Sequence, residues 1–159
     1  QPFVIQSGLK ISLFGGLWAA LNLTAGFAAM DAWKIEIKLG PQRTVMLFSL
    51  LLVAGYFGIS LGSPLAGFLW LFGFYLARGL ATPTLRNYIN IITTSDVRAT
   101  VLSVRNFIIR GLFAILGPMF GLITDRHGLS AAILVAGCVF GYLSMFTLFF
   151  FLKYKTYKV

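Results

Sequence analysis

Acidic side chains are scarce in this sequence, and so are the residues of common catalytic and metal sites. Four aspartates and glutamates stand against thirteen lysines and arginines among 159 residues, and none of the four lies in the middle of an apolar run. Cys138 and His127 are the only cysteine and histidine. The sequence therefore has neither an internal disulfide framework nor a set of ligands that could enclose a metal ion. Because it also contains no Ser-His-Asp set and no phosphate-binding loop, we expect no catalytic residues, no metal, no cofactor and no enzymatic activity.

Charge of either sign is too sparse for a water-soluble domain. Charged residues make up 11% of the sequence and hydrophobic residues 58%, and the mean hydropathy is +0.89. Soluble proteins average about 25% charged residues, so this composition predicts an integral membrane protein with lipid as a partner. A formal net charge of +9 could indicate a nucleic-acid-binding protein. The basic residues lie mostly between apolar runs, however, and no nucleic-acid-binding motif accompanies them, so we expect no nucleic acid partner.

Five apolar segments predict an all-α membrane fold organised as a single transmembrane domain. They run over about 11–33, 44–61, 64–90, 99–124 and 131–152. Each is near the length of about 17–25 residues that a helix needs to cross a bilayer. Their continuous apolarity excludes the strands of a membrane barrel, which alternate over about ten residues. The turn signals between them are Gly40-Pro41, Gly62-Ser63-Pro64, the helix cap Ser95-Asp96, and Gly128.

Positive charge is concentrated in alternate connections between these segments. One side would carry nine basic residues: Lys34, Lys38, Arg43, Arg86, Arg98, Arg105, Lys153, Lys155 and Lys158. The other side would carry only Lys10 and Arg126. Basic loops mark the cytoplasmic side of membrane proteins. The sequence therefore predicts a protein of the plasma (inner) membrane with its N-terminus outside and its C-terminus in the cytoplasm.

Arg78 lies well inside the third predicted helix, about 21 Å of helix rise beyond Pro64. It shares a helix face with Tyr75 and Thr82, at spacings of three and four residues. A charge at this depth is costly unless it faces protein or water or reaches the interface. Arg78 and Tyr75 are therefore candidates for a solute cavity or gate, and a structural salt bridge is the alternative for the arginine.

Arg110 lies inside the fourth predicted helix, on a face shared with Asn106, Gly117 and Gly121. One interpretation is that Arg110 and Asn106 face an aqueous cavity and contact a polar or anionic solute. The other is that Arg110 snorkels to cytoplasmic headgroups, since it lies only about 7 Å beyond the preceding arginine. Gly117 and Gly121 form a small-residue packing motif, and Pro118 can bend the helix between them.

Asn22 and Tyr56 are polar side chains within the first and second predicted helices. Each is a further candidate for the lining of a solute cavity. A hydrogen bond between neighbouring helices is the simpler interpretation of both.

Two stretches of the sequence resemble major facilitator superfamily transporters. The stretch NYINIITTSDVRATVLSVRNFIIRGLFAILGPMFGLITDRHG resembles the region of the tenth and eleventh helices of that superfamily. The stretch KIEIKLGPQR resembles the cytoplasmic basic loop between the eighth and ninth helices. By this resemblance Asp31, Lys38, Gly40 and Arg43 belong to the cytoplasmic loop. The chain as a whole would supply the last five helices of a C-terminal six-helix bundle.

The resemblance implies a function as well as a fold. Transporters of this superfamily bind solute between two six-helix halves and work by alternating access. The chain would then be a segment of a secondary transporter for a small polar or anionic solute, and its partners would be that solute and the missing N-terminal helices. The first residue, Gln1, also suggests a piece of a longer protein or a processed product. The alternative is a small five-span structural or assembly subunit without transport activity.

Overall fold

The computed structural model describes residues 2–153, without the side chains of Pro2, Pro64 and Leu65. The described residues are almost entirely helical and include no strand, which confirms the predicted all-α class. A short helix α1 (Pro2–Gln6) and a 3-10 turn (Ile11–Leu13) precede four long helices. These are α2 (Phe14–Leu61), α3 (Pro64–Ile92), α4 (Ser95–His127) and α5 (Leu129–Lys153).

Three stretches of the described chain are long and apolar enough to cross a membrane. They are Ile11–Leu61, Ser95–His127 and Leu129–Lys153. The first contains both the predicted segment 11–33 and the predicted segment 44–61. α3, which is 29 residues long and contains Arg78, is not among the three. Helices thus cover all five predicted segments, while five separate crossings within a single domain stay a prediction.

The predicted break at Gly40-Pro41 is confirmed as a sharp kink inside α2. Gly40 has φ 77° and ψ 161°, a backbone conformation outside the helical region, and helix resumes at Pro41. Leu47, beyond the kink, packs with Ala28 of the first half against α3. The two halves of α2, residues 14–39 and 41–61, therefore lie side by side and form a helical hairpin. The one long element thus contributes two rods to the fold.

We expect Gly40→Ala to lower the stability of the protein by about 1–3 kcal/mol, because the φ and ψ at this position are accessible essentially to glycine alone. Thermal unfolding of the detergent-purified protein, followed by tryptophan fluorescence, measures the effect. Gly16→Ala is the matched control, since Gly16 is in the helical part of α2 and an added Cβ there would meet nothing within 4 Å. Equal melting temperatures for the two variants would contradict the prediction.

The other helix ends follow the turn signals closely, with one correction. The Ser63 hydroxyl accepts a hydrogen bond from the backbone N–H of Ala66 at 3.4 Å, with proline at the first position of α3, as predicted. Gly128 separates α4 from α5 with φ 82°, also as predicted. The start of α4 was misplaced by one residue, because Thr94 takes the extended N-cap conformation and Ser95 is already helical.

α3 packs against both halves of α2, and small residues set the distance between these helices. An added Cβ on Gly79 would collide with the backbone oxygen of Ala25, and one on Gly58 would collide with the ring of Trp70. Two buried clusters fill the remaining space. One contains Ala28, Ala32 and Leu80, and the other Val45, Phe48 and Ala77. These contacts hold the two halves of α2 and α3 together, and α5 packs against the second cluster through Leu148 and Phe151.

α4 is the least covered helix. None of its described residues is buried, and many of its large apolar side chains are exposed, Phe107 and Phe113 to more than three quarters. Its start is tied to the end of α3, because Nη2 of Arg98 donates hydrogen bonds to the carbonyl oxygens of Asn90 and Thr93 at 3.1 and 3.3 Å. Most of its apolar surface is thus open within the described residues, and an exposed apolar surface of this size marks a contact with lipid or with another protein.

Candidate functional site

A groove of about 470 Å³ lies between the first half of α2 and the second half of α3. Two helix faces form its walls. The residues that line it are Asn22, Ala25, Gly26, Ala29, Arg78, Gly79, Thr82, Pro83 and Arg86. The α2 wall consists of one amide and small side chains, so it leaves the space open. The α3 wall carries Arg78, Thr82 and Arg86 at a spacing of four residues, which places them on one helix face.

Arg78 is exposed to the groove and is supported by aromatic side chains. Its guanidinium carbon lies 5.5 Å from the centre of the Tyr75 ring, a cation–π geometry. The Tyr75 ring in turn lies 6.3 Å from the ring of Trp18 on α2, at an interplanar angle of 49°. Long side chains on a helix lean toward its N-terminus, which explains why Arg78 meets the residue three positions before it. The guanidinium of Arg78 thus lies over the Tyr75 ring, and none of its donors forms a hydrogen bond within the described residues.

Asn22 faces Arg78 across the groove. Its amide nitrogen donates a hydrogen bond to the carbonyl oxygen of Trp18, one turn earlier on the same helix, at 2.8 Å. The amide nitrogen of Asn22 therefore bonds within its own helix and does not form the interhelical hydrogen bond that the sequence analysis considered. The structure brings together three of the predicted candidates, because the first half of α2 packs along α3. Asn22 and Arg78 line the groove, and Tyr75 contacts Arg78 beside it.

No carboxylate lines the groove. Asp31, on the same helix as Asn22, forms an exposed ion pair with Lys34 at 2.6 Å. Within the described residues neither Arg78 nor Arg86 has a salt bridge, so the structural ion pair considered for Arg78 is not formed there. A guanidinium inside a membrane protein requires water, an anion or a partner group to offset its desolvation. The groove therefore presents uncompensated positive charge.

The other predicted cavity residues lie elsewhere. Arg110 and Asn106 are exposed on α4 and are not part of the groove lining, and the Asn106 side-chain oxygen accepts a 3.4 Å hydrogen bond from Arg105. Tyr56 packs between Phe74 and Phe140, with ring centres 4.8 and 5.4 Å away. Tyr56 is thus part of an aromatic contact between α2, α3 and α5 rather than of the groove.

The helix-packing candidates on α4 face open space within this chain. A Cβ added at Gly117 or Gly121 would meet no atom within 4 Å, and Pro118 between them is exposed. The packing role of these residues stays a prediction that requires a neighbour from outside the described chain.

The residues assigned to the cytoplasmic loop lie around the kink of α2. Asp31 is paired with Lys34, and both side chains are more than half exposed. Such surface pairs contribute at most about 1 kcal/mol. Lys38 and Arg43 are exposed on either side of Gly40. The loop predicted here is therefore a continuation of helix on both sides of one glycine.

Arg86 and Thr82 are the polar groove residues that the sequence analysis did not propose as site residues. Arg86 was interpreted only as a basic residue near a cytoplasmic connection. Its spacing of eight residues from Arg78 was the signal available, because positions four and eight apart lie on one helix face.

The chain was also compared with models of protein families, with curated proteins and with solved structures, and none of the three comparisons finds a match. The described residues thus define an all-helical protein with three stretches able to cross a membrane. Its functional assignment depends on the groove.

Proposed function

We propose that this chain is a segment of a secondary transporter that moves a small polar or anionic solute across a membrane by alternating access. The observation that carries the proposal is the α2–α3 groove, in which Arg78 and Arg86 lie without a carboxylate partner among the described residues. Arginine is expensive within a membrane protein and is typical of solute or ion pathways there. A groove of this size and lining suits a small solute.

The exposed surface of α4 supports a partner for the chain. A polar stripe containing Asn106 and Arg110 and the open surface at Gly117 would be covered if a second helical unit packed against this helix. We propose that this unit is the N-terminal part of the same transporter, as the resemblance to the major facilitator superfamily implies. The same exposed helix also suits the alternative, a small structural or assembly subunit that docks on another membrane protein.

Two observations separate these functions. The reading frame upstream of Gln1 should encode seven further apolar segments if the chain belongs to a transporter, and fewer would favour the subunit. The complete protein in proteoliposomes should then show saturable uptake of at least one small solute from a panel of succinate, inorganic phosphate, lactate and glucose. A reading frame without these segments would overturn the proposal, as would the absence of saturable uptake by folded, correctly inserted protein.

The proposed membrane orientation has the N-terminus outside and the C-terminus in the cytoplasm of cells bounded by a plasma (inner) membrane. In a Cys138→Ser background, a cysteine at Gln6 should react with an impermeant thiol reagent in intact cells. Cysteines at Gln42 and Thr156 should be shielded until the membrane is opened. Thr156 lies outside the described residues, while Gln42 is in the first turn after the kink of α2. Labelling at Gln42 in intact cells would invert the orientation.

A further inference from the structure

We propose that the α2–α3 groove is an oxyanion path with two stations. Arg78 would be the central station that holds a carboxylate or phosphate group of a small soluble anion, and Arg86 the outer station that admits it. This inference rests on the proposed function for two statements, that the bound anion is transported and that α3 crosses the membrane. Binding of the anion follows from the residues of the groove itself.

The spacing of the two arginines requires two stations rather than one shared site. Arg78 and Arg86 are separated by about 12 Å of helix rise. Side chains on a helix lean in the same direction along its axis, and Arg78 does so in its contact with Tyr75. With the same lean at Arg86 the separation is kept, and a single carboxylate or phosphate is not bound by both at once. Thr82, midway between them, offers a hydroxyl along the path.

The chemistry of the walls selects an oxyanion. A guanidinium presents a planar fork of donors that matches a carboxylate or a phosphate group in a bidentate manner. None of the four acidic residues of the chain lines the groove to compete for this fork. The opposite wall at Ala25, Gly26 and Ala29 carries no side chain large enough to fill the space, so a small anion can approach the arginines.

A lipid phosphate is the other source of an oxyanion. With α3 crossing the bilayer, as the proposed orientation requires, the position of Arg78 argues against it. α3 runs from Pro64 to Ile92, and Arg78 is the midpoint, about 21 Å of rise from either end. Lipid phosphates lie at the two surfaces of a bilayer, about 15 Å or more from its midplane. Arg86 is only about 9 Å of rise from the end of α3. The central station therefore requires an anion that leaves the headgroup region, which is a soluble one.

The test is anion binding by the purified chain in a maltoside detergent without phospholipid. Sodium succinate and sodium phosphate are the probes, with choline chloride at matched ionic strength as the blank. Tryptophan fluorescence is the readout, because Trp18 contacts Tyr75 beside Arg78, and Trp18→Phe should remove the signal. We expect saturable binding of at least one probe. Arg78→Gln should weaken it at least tenfold, and Arg78→Lys, which keeps the charge, should weaken it less.

Arg86→Gln distinguishes the second station from the first. Stopped-flow measurements should show an association rate at least fivefold lower, with a change in equilibrium affinity below about threefold, because a station outside the binding site mainly steers approach. Arg126→Gln is the control, since this exposed arginine at the end of α4 is not part of the groove. Unchanged binding after Arg78→Gln, or equal losses of affinity at both positions, would overturn the two-station path.

The lipid source and the transport function are tested separately. Binding of dihexanoylphosphatidylglycerol in the absence of succinate or phosphate binding would assign the groove to lipid headgroups and overturn the proposal. If the complete protein takes up only glucose in a saturable manner and binds no anion, the oxyanion path is rejected. The proposal that the protein is a transporter is then retained. If anions bind but the complete protein shows no uptake, the proposal that the protein is a transporter is rejected. The binding of oxyanions in the groove is then retained.

Discussion

Arg78→Lys is expected to reduce solute uptake by the complete protein about ten- to a hundredfold, with unchanged abundance in the membrane. Lysine keeps the positive charge and snorkels about as well as arginine, but it lacks the planar fork of donors. The loss corresponds to one hydrogen bond to a charged group, which is worth about 1.5–3 kcal/mol. Initial rates of uptake into proteoliposomes, normalised to protein detected in the membrane, measure the effect.

Arg110→Lys is the companion variant, because Arg110 is also an arginine inside an apolar helix but is not part of the groove lining. We expect a smaller effect at Arg110 than at Arg78. Normal uptake by both variants would reject a solute contact for either arginine and would leave membrane anchoring as the explanation. A loss of protein from the membrane, rather than of uptake, would assign Arg78 to folding.

Gly79→Ala should destabilise the protein by about 3 kcal/mol, at the upper end of the usual cost of overpacking. The added Cβ would collide with the backbone oxygen of Ala25 and would lie 2.8 Å from the Cβ of Ala28. Neither atom belongs to a flexible side chain, so α2 and α3 would have to move apart. The groove shares this contact, because Gly79 is among its lining residues. Thermal unfolding in detergent should show the melting temperature falling by roughly 6–12 °C.

Gly73→Ala is the matched control on the same helix. Its added Cβ would make an ordinary contact with the Trp70 ring at 3.7 Å, and alanine is the better helix former by about 1 kcal/mol. We expect the control to be neutral or slightly stabilising. If both variants unfold at the same temperature, the close approach of α2 and α3 at Gly79 is not a determinant of stability.

The helical architecture followed from local signals in the sequence. Long apolar runs predicted helices, and Gly40, Ser63 and Gly128 marked where they kink, begin and end. The sequence predicts these positions because a backbone with positive φ, or a capping hydroxyl, depends on only one or two residues. The start of α4 was misplaced by one residue, because Thr94 and Ser95 can both cap a helix and the usual preference for serine did not decide its start.

The candidate site was only partly predictable. The polar faces of single helices, such as the face of Tyr75 and Arg78, are visible in the sequence because helical periodicity is local. Which helix faces pack against each other depends on residues far apart in the chain. The sequence therefore did not predict that Tyr56 and Asn22 would lie in different surroundings. Tyr56 joined an aromatic contact with Phe140, whereas Asn22 came to line the groove.

By itself the sequence determined the all-helical class, the apolar character of the helices and the positions of the main breaks, because each depends on residues near one another in the chain. The tertiary structure decided that α2 folds back at Gly40 to place α3 against both of its halves. It also decided that Gly79 and Gly58, rather than Gly117, are points of close approach within the described residues. Packing between α2 and α3 brought Asn22 into one groove with Arg78 and Arg86, because which helix faces meet depends on residues far apart in the chain.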